Sequence, residues 1–138
     1  MINGYQKYKE NTVNGMSQAE LLLALFDKAI SDLSKAEYAL NEKEYGIFER
    51  SLDHTVKIVR YLIQILDHSQ PLAADLREIY QYLIFDISRV RAGRHRRADE
   101  IGRMRNILSE LRDAFDQADK KLCAEAAAKE HGTQAHFG

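Results

Sequence analysis

A single proline, a single cysteine and no tryptophan stand among 138 residues, with seven glycines. Each shortage removes a class of structure. One cysteine leaves no internal disulfide and no multi-cysteine zinc site, and suits a reducing compartment. One proline and few glycines give helices few places to break. No apolar run approaches the roughly 18 residues that span a bilayer, and the N-terminus lacks the charged and apolar regions of a secretory signal, so the sequence reads as cytoplasmic, with no membrane insertion. A formal net charge of -1 gives the whole molecule no bias toward nucleic acid or anionic membrane. A chain of this length buries roughly two thirds of its unfolded surface, enough to fold without a disulfide or a structural metal.

The scarcity extends to catalytic signatures. No glycine-rich phosphate loop of either common pattern and no Gly-x-Ser-x-Gly elbow occurs. The five histidines, His54, His68, His95, His131 and His136, form no Glu-x-x-His pair of the kind that builds di-metal bundles. Asp53 and His54 are adjacent and so point about 100° apart on a helix. The sequence predicts no enzyme, no cofactor and no metal, and Cys123 reads as a small apolar residue on a helix.

What the chain does have is helical period. Ser17-Gln18-Ala19-Glu20 is a capping box, its hydroxyl placed to accept from the Glu20 backbone N–H. Leu22, Phe26, Ala29, Ile30, Leu33, Ala36 and Leu40 then recur at three- and four-residue spacing, which predicts a helix over 17–41. A turn at Asn41-Glu42-Lys43 leads to a second helix, 44–67, with Phe48, Leu52, Val56, Val59, Leu62, Ile63 and Leu66 on its core side. Pro71 suits the first turn of a third, 71–92, where its missing N–H has no partner to lose. Leu72, Leu76, Ile79, Tyr80, Leu83, Ile87 and Val90 form the core side of that helix, and Gly93 is its stop. A fourth helix, 98–127, carries Ile101, Met104, Leu108, Leu111, Phe115, Ala118 and Leu122. The pattern predicts an all-α fold, an antiparallel four-helix bundle over 17–128. Residues 1–16 form an extended or short-helical N-terminal segment, and 129–138 a tail without period, expected to be disordered.

Helices two and three carry more apolar surface than a peripheral place in a bundle uses. At about 100° per residue, Ile47, Ile58, Tyr61 and Ile65 fall on a second stripe of helix two. Tyr82 and Phe85 are rotated off the core side of helix three, and Ile107 and Ala114 extend the flank of helix four. Two readings are open: a crowded helix touching two neighbours, or an apolar groove for a partner helix. On the second, Ile58→Asp or Ile65→Asp abolishes binding and leaves the fold intact, whereas Phe26→Asp unfolds it. The leader, with Tyr5 and Tyr8 among polar residues, is either a frayed terminus or a cap that covers such a groove until a client arrives.

Arg89, Arg91, Arg94, His95, Arg96, Arg97, Arg103 and Arg105 make a basic run that could hold phosphates. Asp99 and Glu100 interrupt it and no interleaved aromatics offer base stacking, while Arg89 and Arg91 suit a helix C-terminus. A solvated face or a protein-docking patch is the preferred reading, with no nucleic-acid partner.

Three blocks of residues carry a family likeness. The first is Tyr5, Tyr8 and Val13, then Ser17 to Glu20-Leu21 and Leu25-Phe26-Asp27. The second is Ile58-Val59, Leu62 and Leu66-Asp67, and the third Ala73, Leu76 and Ile79-Tyr80-Gln81-Tyr82-Leu83, with Asp113-Ala114-Phe115 beyond it. In order and spacing they resemble the flagellar secretion chaperone FliS family from about Tyr5 to Leu122. The chain departs from the family pattern at Ser69-Gln70, Phe85-Asp86, Val90-Arg91 and Phe115.

The resemblance implies a chaperone that binds the C-terminal segment of flagellin, which is disordered until it folds along the bundle, and that presents the loaded complex to the flagellar type III export gate. It implies that Tyr5, Tyr8 and Val13 form the movable cap. The groove residues expected from the stripes are Ile47, Ile58, Tyr61, Ile65, Tyr82, Phe85, Ile107 and Ala114. The molecule is expected as a monomer or a weak homodimer, and a four-helix adaptor for a different amphipathic helix is the alternative.

Overall fold

The computed structural model describes residues 16–137, with side chains as far as Lys129. Among the described residues the chain is all-α and holds no strand. Its elements are α1 (Gln18–Asn41), α2 (Tyr45–Gln64), α3 (Ala73–Gly93), a 3₁₀ turn (Arg94–Arg97) and α4 (Ala98–Phe137).

The ends of these helices follow local chemistry. At the start of α1 the Glu20 backbone N–H donates to Ser17 Oγ at 3.1 Å, so the capping hydroxyl is in place. α1 ends in a Schellman arrangement: Glu44 N–H donates to the Ala39 carbonyl at 2.8 Å and Lys43 N–H to that of Leu40 at 3.1 Å. Lys43 takes the positive-φ position of that motif, φ 59°, where glycine is usual. Beyond α2, Asp67 Oδ1 accepts from the Ser69 N–H at 3.0 Å and the Ser69 hydroxyl at 2.6 Å. These bonds hold the Asp67 carboxyl below its ordinary pKa. The linker is therefore a built turn, and α3 starts at Ala73 rather than at Pro71, with Pro71 and Leu72 in the turn before it.

Two expectations about chain order are corrected. Leu72 lies outside α3 and is exposed, because the helix begins after it. α4 continues to Phe137 where a helix end near 127 and a disordered tail were expected. Ala124 and Ala126-Ala127-Ala128 have the highest helix propensity of any residue, and that run outweighs the loss of hydrophobic period.

Residues 24–109 form one compact unit, and the start of α1 and the chain from 110 onward belong to a second. Within the first, Phe26, Leu33, Leu40, Phe48, Leu52, Leu62, Tyr80, Leu83, Ile87, Ile101, Met104 and Leu108 are fully buried. The Phe26 and Tyr80 rings meet at 6.5 Å, joining α1 to α3. Arg91, near the end of α3, donates to the Glu49 carbonyl at 3.3 Å and pairs with Asp53, both early in α2, so α2 and α3 run antiparallel. Arg105 of α4 pairs with Glu37, late in α1, at 2.9 Å. In the second unit Phe115 is half-buried, whereas Ala118 and Leu122, expected inward, are exposed.

The buried arc of α2 differs from the one its large apolar residues outline. Ser51, Thr55 and Ile58 are buried alongside Phe48, Leu52, Val59 and Leu62, while Val56 and Ile63 are half-exposed. Thr55 Oγ1 donates to the Ser51 carbonyl at 3.0 Å, which satisfies its hydroxyl inside the core. The core side of α2 is thus rotated toward its small polar residues.

Candidate protein-interaction face

The period that turns Tyr80, Leu83, Ile87 and Val90 inward brings Tyr82, Phe85 and Arg89 onto one outward line of α3, at three- and four-residue steps. Tyr82 is 43% exposed and Phe85 59%. The Arg89 guanidinium lies 5.9 Å from the centre of the Phe85 ring. From α4, Arg103 Nη2 donates to Asp86 Oδ2 at 3.2 Å, and Ile107, one turn further along α4, is half-buried. Arg103 has its pKa raised, first by the Asp86 hydrogen bond and then by the negative charge that the nearby Tyr82 carries once its phenol has ionised in alkali. Tyr82, Phe85, Arg89, Asp86 and Arg103 therefore belong to one neighbourhood where α3 meets α4.

The other expected groove residues divide. On α2, Ile47 and Tyr61 are half-buried and Ile65, just past the helix end, is 42% exposed. Ile58 is corrected: at 1% exposure it is a core residue, since the rotated core of α2 takes in the edge of the stripe on which it lies. His54, on the same side one turn earlier, is exposed, so the stripe is not continuously apolar. Ala114 is exposed and lies in the second unit. Tyr5, Tyr8 and Val13 lie outside the described residues.

The basic run forms a corner between α3 and α4 that is mostly tied to acids. Arg94 is 3.8 Å from Glu49, Arg97 is 2.9 Å from Glu100, and Arg91 and Arg105 hold the partners already given. Arg94 adopts φ 47° and places its guanidinium 4.4 Å from the centre of the Tyr45 ring, whose hydroxyl is 3.3 Å from His95 Nε2. An aromatic partner does exist, supplied from α2 rather than from within the run. Paired arginines and a stacked ring make this corner a brace between helices and leave little free charge for phosphate.

Sequence reasoning missed Asp86. It sits between Leu83, Ile87 and Val90 on the inward side, fully buried, and a carboxylate at a core register position was the signal available. The surface it underlies offers aromatic area and guanidinium donors, which suits a protein partner. Among the described residues no group of His, Cys, Asp or Glu could hold a metal, and no helix is long and apolar enough to cross a membrane.

No curated protein matches the chain. A family model described as flagellar protein FliS matches residues 1–122. With its helical bundle and match across most of its length, the chain belongs to the FliS family of flagellar export chaperones for flagellin.

Proposed function

We propose that this protein is a cytoplasmic export chaperone that takes up the disordered C-terminal segment of flagellin, prevents premature polymerisation and hands the complex to the flagellar type III export gate. The segment folds as an amphipathic helix against apolar residues left uncovered in the unit 24–109: Tyr82 and Phe85 on α3 first, with Ile107 on α4, Ile47 and Tyr61 on α2, and Ile65 just past the end of α2. The leader carrying Tyr5, Tyr8 and Val13 acts as a cap that yields to the client. Ordering a disordered segment costs conformational entropy, so the contact has to be long and apolar.

The observation that carries this reading is the exposure of Tyr82 and Phe85 beside a well-filled core, in a member of a flagellin-chaperone family. A single exposed aromatic such as Tyr38 is ordinary, whereas two large rings adjacent on one helix face make an apolar patch of the kind that receives a partner. Seeded polymerisation of flagellin tests it. An equimolar amount of the protein should suppress filament growth, and a Phe85→Asp variant should lose that effect. Unchanged growth with the wild-type protein contradicts the proposal.

A further inference from the structure

We propose that the face between α3 and α4 reads a carboxylate on the helix that docks there, with Arg89 and Arg103 as a paired cation site beside Tyr82 and Phe85, both positioned by the buried carboxylate of Asp86. The inference rests on this face being a client-binding surface and adds the chemistry of the client: an amphipathic helix with an Asp or Glu one turn from its apolar anchor.

Asp86 is the reason to single out these arginines. Its side chain is fully buried, Oδ2 accepts from Arg103 at 3.2 Å, and Oδ1 faces Arg89 Nη1 at 3.6 Å without accepting a hydrogen bond. A buried ion pair adds little to stability, and an apolar residue in its place often serves folding as well or better. What Asp86 does achieve is to hold two long side chains, from two helices, at one spot.

Both arginines keep capacity for a partner. Their side chains are 38% and 52% exposed, and a guanidinium has five N–H donors, most of them uncommitted in these contacts. Glu100, 4.0 Å from Arg103, is only 16% exposed, and Asp86 is covered. On the Arg89 side of Phe85 the charge that reaches the surface is therefore positive, whereas the exposed Glu78 lies one turn before Tyr82 at the other end of the line. A guanidinium presents a fork that matches a carboxylate, and Arg89 stands one turn along α3 from Phe85. A docked helix that sets apolar side chains on the aromatic pair brings a residue three or four positions away over the arginines.

Two synthetic amphipathic peptides of equal length and apolar content test this, one with Glu and one with Gln at that position, titrated into the full chain alongside the C-terminal segment of flagellin. The Glu peptide should bind about tenfold tighter than the Gln peptide. That preference should vanish in an Arg89→Gln, Arg103→Gln double variant and shrink in Asp86→Asn, while the melting temperature of Asp86→Asn holds. Should the arginine variant fold poorly because Asp86 is left uncompensated, the triple variant with Asp86→Asn removes that charge and must also lack the preference. Equal affinity for the two peptides, or a preference that survives loss of both arginines, overturns the inference. A flagellin segment that binds normally in that case leaves the chaperone reading standing, whereas a retained glutamate preference without flagellin binding overturns the chaperone reading alone.

Discussion

Ile58 on α2 and Ile65, seven residues on and just past that helix's end, differ sharply in burial: Ile58 is 1% exposed and Ile65 42%. The pair divides what the fold needs from what a client can use. Ile58→Asp places an uncompensated charge in the core and should cost about 4 kcal/mol or more, a large part of a small domain's stability. Ile65→Asp should melt like the wild type and weaken flagellin binding. Thermal melting followed by circular dichroism, with a binding titration on each variant that folds, checks both halves. Equal melting of the two variants would contradict the separation.

Phe85 is the most exposed aromatic of the candidate face, and truncating it removes little from the core. Phe85→Ala should change stability by no more than about 0.5 kcal/mol and weaken client binding by about tenfold or more. A denaturation midpoint and a titration on the same sample decide it. Lost stability with binding unchanged would mean that the ring serves the fold.

Lys43 occupies the left-handed position that closes α1. A side chain there is strained and glycine is not, so Lys43→Gly should stabilise the protein by roughly 0.5–1 kcal/mol. The check is a rise of a few degrees in melting temperature. A fall would mean that Lys43 makes a compensating contact.

Burial pushes the Tyr80 phenol from its ordinary 10.0 up to about 12. The core holds the neutral form more firmly than the unfolded chain does. The contribution is therefore intact below pH 10 and is lost between pH 10 and 12, at about 1.4 kcal/mol per pH unit. Urea midpoints at pH 8 and pH 11 should show a smaller alkaline loss for Tyr80→Phe than for the wild type. Equal losses would contradict the assignment.

The helices were legible in the sequence because apolar residues on α1, α3 and α4 repeat at helical spacing, and because Ser17 marks the start of α1 by capping chemistry. Gly93 ends α3 still in helical conformation, and the left-handed position expected of it falls on Arg94. The rotation of α2 was not legible, since Ser51 and Thr55 read as polar, and the bond from the Thr55 hydroxyl to the Ser51 backbone carbonyl that suits Thr55 to a core appears only in the structure. Tyr82 and Phe85 were legible as outward residues for the complementary reason: they fall between inward positions that are all large and apolar. Ile58 was misplaced by the same rotation. Leu122 kept the period of α4 beyond residue 109 yet is exposed, because spacing records which face a residue takes and not whether anything covers it. Asp86 and the arginines it holds required the structure, since their meeting joins residues from two helices.

The central claim is that the uncovered aromatic face receives a flagellin segment as it folds. Calorimetric titration of the protein with the C-terminal segment of flagellin from the same organism, at several temperatures and at low and high salt, tests it most directly. The account predicts saturable binding with a negative heat-capacity change and an affinity that falls by about tenfold at most at high salt, the share of the arginine contacts. Absence of binding, or binding that collapses as salt is raised and leaves the heat capacity unchanged, would contradict it.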